Sequence, residues 1–422
     1  LDNVIKQSEM IQVERDAGFK EIIRNIKNFT DCDFEVPPSM KQILRNYQKT
    51  GFRWLKTMAG YGFGGILADD MGIGKTIQVI ALLQDEKNMH PDFSALVICP
   101  SSLLLNWQHE IDKFSRNVNS VIISGSSEER KALIRRQRDY DVMITSYDYL
   151  KRDIEEYDSI TFTYQILDEA QYIKNHATKN ALSVKQIHAE HRFALTGTPI
   201  ENSLAELWSV FDFLMPGYLY HYQYFKGVYE IPIVKDNDIT VLQELHRMVE
   251  PFILRRVKKD VLKELPEKVE NTLLIDLDEN ARKLYMANVA LIRDDLSASF
   301  SEKGFQKSRI MVLSMLTRLR QFCCDPRLIY DNYQGSSAKL EACMELVESC
   351  IAANKKILLF SQFTSLLSLI EDELINRGIP YYLLKGSTPK TQRQHLVNAF
   401  NTNDIPIFLI SLKAGGTGLN LT

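Results

Sequence analysis

Lys75 and Thr76 end the run Asp69-Asp70-Met71-Gly72-Ile73-Gly74-Lys75-Thr76, between the apolar segments Gly65-Ile66-Leu67-Ala68 and Ile77-Gln78-Val79-Ile80-Ala81-Leu82-Leu83. A buried strand, a glycine-rich turn and an apolar helix, in that order, are what a phosphate-binding loop requires. Glycines such as Gly72 and Gly74 let backbone N–H groups crowd around a phosphate, and the helix N-terminus adds a favourable field. Lys75 is then placed to reach β- and γ-phosphates, and the Thr76 hydroxyl to ligate Mg²⁺. The full pattern wants glycine where this chain has Asp69, so the loop taken alone also reads as an ordinary strand–turn–helix junction. An acidic pair, Asp168-Glu169, ends the strand-like run Gln165-Ile166-Leu167. Nucleotide hydrolysis needs one carboxylate to hold Mg²⁺, usually through water, and another to orient or deprotonate the attacking water. Asp168 suits the first role and Glu169 the second. By itself such a pair is more often a solvated turn; on one sheet with a phosphate loop it becomes half of a hydrolytic site.

For these groups to meet, their strands must share one sheet. From Lys41 onward, short β-rich runs at 65–68, 95–99, 121–124, 141–145, 164–167 and 192–195 alternate with amphipathic segments. That alternation predicts βαβ units and a doubly wound parallel sheet, with ligands at the carboxyl ends of the strands. The polar, turn-forming ends fall there: the phosphate loop, Pro100-Ser101-Ser102, Ser146-Tyr147, Asp168-Glu169 and Thr196-Gly197-Thr198-Pro199. Before this lobe, 19–29 has helical spacing and Pro37-Pro38-Ser39 reads as a linker. After it the chain turns helical, with Leu204, Leu207, Trp208, Phe211 and Leu214 on one face and further helices expected at 241–264, 279–299 and 308–323. Strands return at 356–361, 381–384 and 406–411. The expected division is a helical segment and linker at 1–40, a first lobe at 41–203, a helical insertion or bridge at 204–335, and a partial second lobe at 336–422.

Composition limits the partners. With 51 basic and 54 acidic residues the chain carries a net charge of −3, so any nucleic-acid surface must be a local groove. The six cysteines show no metal spacing and read as buried hydrophobes in a reducing compartment. No apolar run reaches the ~18 residues of a membrane span, and no membrane partner is expected. The chain starts at Leu1 and stops inside a glycine-rich motif, as a piece of a longer protein would.

The motifs together are specific. Leu44-Arg45-Asn46-Tyr47-Gln48-Lys49-Thr50-Gly51-Phe52-Arg53-Trp54-Leu55 is locally an amphipathic helix with Tyr47, Phe52 and Leu55 as core. That run, the loop from Ala68 to Thr76, Asp168-Glu169-Ala170-Gln171 and Leu195-Thr196-Gly197-Thr198-Pro199-Ile200-Glu201-Asn202 resemble the SWI/SNF-type ATPases. So do Cys99-Pro100-Ser101-Ser102-Leu103 with Asn106-Trp107, Thr145-Ser146-Tyr147, Pro251-Phe252-Ile253-Leu254-Arg255-Arg256-Val257-Lys258-Lys259-Asp260-Val261, Leu359-Phe360-Ser361-Gln362-Phe363 and Gly415-Gly416-Thr417-Gly418-Leu419-Asn420. The resemblance covers 41–422 in order, and the family's own loop carries aspartate at the position of Asp69.

The resemblance implies a superfamily-two motor with two RecA-like lobes, ATP between them and double-stranded DNA across both. Gln48 would read adenine, with Arg45 in the same motif; Asp70, Gly72, Gly74, Lys75 and Thr76 would bind nucleotide, with Thr76 and Asp168 on the metal. Thr196 and Thr198 would couple ATP state to lobe position, and Ser101, Ser102, Thr145, Ser146, Ser361 and Thr417 would face the DNA backbone. A DNA-bound protein completes the expectation: RNA polymerase or a nucleoid protein for a bacterial member, cytoplasmic at the nucleoid, or a nucleosome for a nuclear one. A strand-separating helicase, or a module that binds ATP and DNA with little hydrolysis, remains as the alternative. Gln171 stands where many relatives have His, and Glu201 where many have Gln. The arginine-bearing last motif of the family lies past Thr422, which predicts weak hydrolysis by these residues alone. Residues 251–270 carry six basic and four acidic side chains, which reads locally as a solvated, self-paired helix face rather than a DNA patch.

Overall fold

The runs at 65–67 and 95–99 are apolar without alternation, the pattern of strands covered on both faces of a parallel sheet. In the computed structural model they lie in such a sheet. Its strands are β1 (Gly65–Leu67), β2 (Ala95–Cys99), β3 (Ser120–Ile122), β4 (Val142–Ser146), β5 (Thr161–Leu167), β6 (His188–Leu195) and β7 (Ile253–Leu254). They run β3-β4-β2-β5-β6-β1-β7, and every neighbouring pair is parallel. The structure describes residues 34–197, 203–262, 269–335, 337–415, 419 and 421, with 18, 21 and 24 before them; for 294–310 and 390–391 it describes backbone only. The helix expected at 19–29 lies outside the described residues except at 21 and 24, which are helical.

The chain divides into two compact units, Leu1–Glu267 and Lys268–Thr422. In the first, the helix Asn46–Gly60 buries Phe52, Trp54 and Leu55 in the core. Fully burying side chains of this kind stabilises by about 1.5–3 kcal/mol each. The segment expected as a linker is not free of the core: Val36 and Met40 are buried in it. The helix Leu204–Leu214 lays Leu207, Trp208, Phe211 and Leu214 into the same core.

Two expectations about helices are corrected. The stretch 241–264 is not one helix: it is the helix Ile239–Val249, a single turn at Glu250–Phe252, strand β7 and the short helix Lys258–Val261. Pro251 has no N–H to continue the helix, and the β-branched Ile253 beyond it suits an edge strand. The stretches 279–299 and 308–323 are one helix, Glu279–Cys324, because Gly304 in the join costs a helix only about 1 kcal/mol.

The second unit holds a parallel sheet of β8 (Ile357–Ser361), β9 (Tyr381–Leu384) and β10 (Ile407–Ser411) in the order β8-β10-β9. Alternate residues of β10 point to opposite faces. Ile407 and Leu409 meet Leu340, Met344, Val347, Leu367, Ile370 and Leu374 of two helices, while Phe408 and Ile410 meet Val397 and Phe400 of a third. The fold is thus α/β, with two parallel, doubly wound RecA-like lobes. Among the described residues no helix is long and apolar enough to cross a membrane, and Cys99, Cys323, Cys324, Cys343 and Cys350 are free.

Candidate active site

The strand order puts β5, β6 and β1 side by side, so the acidic pair, Thr196 and the phosphate loop share one rim. The loop turns at Gly72 and Gly74, both at φ +81°, a region closed to side chains with a Cβ except at a cost. Gly74 also leaves room for Gln48, whose Nε2 would lie 2.6 Å from a Cβ there. The helix Lys75–Met89 starts directly after it. Lys75 Nζ donates to the carbonyls of Asp69 at 2.7 Å and Asp70 at 3.3 Å. Burial pulls its ammonium pKa below the usual value, opposed by the carboxylates of Asp168, Glu169, Asp69 and Asp70.

The helix Asn46–Gly60 holds the loop from its other flank. Gln48 is buried; its Nε2 donates to Ile73 O at 3.1 Å and its Oε1 accepts from Arg45 N–H at 2.9 Å. Tyr47, expected in the core, is half-buried and donates its hydroxyl to Ile73 O at 2.9 Å.

Asp168 is buried at the end of β5 and fixed from several sides. Trp107 Nε1 donates to Oδ2 at 2.8 Å, Glu169 N–H to Oδ1 at 2.9 Å, and the Tyr147 hydroxyl to the Asp168 carbonyl at 2.8 Å. Burial pushes the Asp168 carboxyl up to about 6, against the Trp107 hydrogen bond and Lys75. Glu169 takes the left-handed backbone conformation at φ +52°, a strain that clusters at functional sites. Gln171 Nε2 donates to Glu169 Oε2 at 2.6 Å, and Thr196 Oγ1 donates to Gln171 Oε1 at 3.3 Å. A side-chain path therefore runs from Thr196 through Gln171 to Glu169. The glutamine that differs from many relatives is the bridge.

The other expected site residues are distributed as follows. Ser101 and Ser102 are half-buried after β2; Thr145 and Ser146, at the end of the neighbouring β4, are buried, and Ser146 Oγ accepts from Tyr149 N–H at 3.2 Å. Ser361 belongs to the second unit, at the end of β8, where its hydroxyl pairs with Phe363 N–H and O at 3.1 Å. Thr198 and Thr417 lie outside the described residues. In the basic block at 255–259, Arg255, Lys258 and Lys259 are exposed, but Arg256 turns inward instead of facing solvent. Arg256 Nε donates to Asp69 Oδ1 at 2.9 Å, Arg256 Nη2 pairs with Asp69 Oδ2, and Lys258 N–H donates to Asp70 Oδ2 at 2.9 Å. Trp107, Tyr147, Tyr47 and Arg256 were not assigned to the site from sequence. Their signals were the polar ends of otherwise apolar positions and the buried charge of Asp69, which requires a partner.

The donors present fit a magnesium nucleotide. Asp168 and Thr76 offer hard oxygen ligands, and Mg²⁺ takes one or two protein ligands with phosphates and water rather than an all-protein cage.

A family model for the SNF2-related domain matches residues 47–328, and one for the helicase conserved C-terminal domain matches 338–422. The chain belongs to the SNF2-related family. It is 37% identical over its whole length to YwqA of Bacillus subtilis, of which it spans 47%. It is 30% identical to the TATA-binding protein-associated factor MOT1 of Saccharomyces cerevisiae, over 92% of this chain and 24% of that protein. The chain thus spans less than half the length of these relatives. Among solved structures, the Sulfolobus solfataricus SWI2/SNF2 ATPase core in complex with double-stranded DNA is 34% identical, with a TM-score of 0.52, covering 87% of this chain and 78% of that one.

Proposed function

We propose that this SNF2-related chain is the ATPase core of a motor that moves along double-stranded DNA and displaces or remodels proteins bound there. The observation that carries the reading is the meeting of Lys75, Asp168-Glu169 and Thr196 at the ends of three adjacent strands. Lys75, from the first turn of its helix, neutralises phosphate charge, and the loop's N–H groups orient the nucleotide. Gln48, held against the loop, contacts adenine. Asp168 and Thr76 would hold Mg²⁺, which would supply charge neutralisation at the phosphates. Glu169, held by Gln171, orients the attacking water and accepts its proton as the water oxygen bonds to the γ-phosphorus and the bond to the β-phosphate oxygen breaks. Thr196 connects that base to β6, so a change at the phosphate reaches the strand end. Ser101 and Ser102, half-buried after β2, support a backbone-only grip on DNA, without sequence reading, whereas Ser146 is buried and caps its own helix.

DNA as the track is supported by the duplex bound to the Sulfolobus relative, and a protein on that DNA by the name of the MOT1 relative. The words helicase/translocase in the name of the YwqA relative keep strand separation as the second reading. One pair of assays separates them. The full-length protein with ATP should strip a third strand from a DNA triplex while leaving an ordinary duplex with single-stranded tails paired. Unwinding of the duplex overturns translocation without strand separation.

A further inference from the structure

Asp69 occupies the position where phosphate loops carry their first glycine, and its side chain is fully buried. A buried carboxylate without a partner is strongly destabilising. Its partner comes from 187 residues further along the chain: the forked guanidinium of Arg256 meets both carboxylate oxygens, and Gln78 Nε2 adds a bond to Oδ2 at 3.2 Å. The same guanidinium donates to Gln78 Oε1 at 2.7 Å and to the Tyr47 carbonyl, and lies 5.4 Å from the Tyr47 ring centre. One side chain therefore touches the helix Asn46–Gly60, the phosphate loop and the helix that follows the loop. Space for it is reserved: a Cβ at Gly51 would stand 1.7 Å from Gln78 Oε1 and 2.9 Å from Arg256 Nη2.

The backbone repeats the connection. β7 pairs with β1, Ala68 N–H donates to Leu254 O at 2.7 Å, and Asp70 N–H donates to Arg256 O at 3.1 Å. The two carbonyls that hold Lys75 belong to Asp69 and Asp70, and both residues are clamped by 256–258: Asp69 by the Arg256 side chain, Asp70 by Arg256 O and Lys258 N–H. We propose that Arg256 is a positioning residue of the nucleotide site. Through Asp69 it sets the path of the phosphate loop, so nucleotide affinity depends on the placement of the segment 253–258. This rests on the ATP-site reading. Its consequence is regulatory: a ligand that shifts the end of the helical region 239–261 changes how tightly the loop holds a nucleotide triphosphate, with no contact to that nucleotide.

The test is steady-state ATP hydrolysis by the full-length protein, read as a split between KM and kcat, for wild type, K75A, R256Q and the double variant D69N/R256Q. The double variant leaves no lone charge buried and keeps the fold if R256Q alone does not. R256Q should raise KM for ATP at least about tenfold with kcat within about threefold, and the double variant should be no weaker than R256Q, because Arg256 acts through Asp69. Wild-type KM in R256Q, or in the double variant where R256Q alone does not fold, overturns the proposal while leaving the ATP site standing. Hydrolysis equally fast in K75A, by contrast, removes the ATP-site reading and this proposal with it.

Discussion

Asp168 shows how burial sets chemistry at a single residue. Its carboxyl is held up to about 6 chiefly by burial, with Trp107 and Lys75 pulling the other way. A group whose folded value lies above its unfolded one binds more protons in the native state, so stability falls as pH rises from 3.8 to about 6. Above that window the cost is on the order of 3 kcal/mol, at about 1.4 kcal/mol per pH unit. Asp168→Asn should therefore raise the Tm of the nucleotide-free protein at about pH 8, and the gain should vanish near pH 4. A Tm at pH 8 equal to or below wild type would contradict the assignment. The Thr196–Gln171–Glu169 path makes its own prediction. Gln171→Ala frees the Glu169 carboxylate to turn, and should lower kcat by roughly tenfold, a part of the 10²–10⁴ that a positioned base contributes, with KM for ATP nearly unchanged. A KM effect alone would place Gln171 in binding instead.

At the scale of elements, β1 is short and must admit a tryptophan. A Cβ at Gly65 would lie 2.5 Å from the Trp54 ring, which is fully buried and cannot retreat. Gly65→Ala should destabilise the first unit by about 1–3 kcal/mol in denaturant unfolding. Gly227→Ala, with open space around it and a helical backbone, should by contrast cost no stability. Strands of this kind were legible in the sequence. The runs at 95–99 and 381–384 match their strands to the residue; the first is buried along its whole length, as a central parallel strand that writes itself as an unbroken apolar run should be. β7 was not legible: two residues carry no periodicity, and the basic block after it suggested solvent. The site divided the same way. Lys75, Asp168 and Glu169 could be named because a motif fixes them within a few positions. Trp107 and Arg256 could not, because their partners are 61 and 187 residues away and only the folded sheet brings them together.

For the whole molecule, two parallel-sheet units joined in one chain and an intact phosphate loop with its acidic pair make a nucleotide-driven machine the economical reading. A net charge of −3 gives no basic surface overall, so the proposed grip on nucleic acid is a local one. DNA binding should accordingly be salt-sensitive but shallow in slope, reflecting few phosphate contacts. The measurement that bears most directly on the account is the ATPase rate of the full-length protein with no nucleic acid, single-stranded DNA, double-stranded DNA or RNA added, with Lys75→Ala and Glu169→Gln beside it. The account predicts the largest stimulation by double-stranded DNA, abolished in both variants. Stimulation greatest with RNA, or a rate that survives Lys75→Ala, would contradict it.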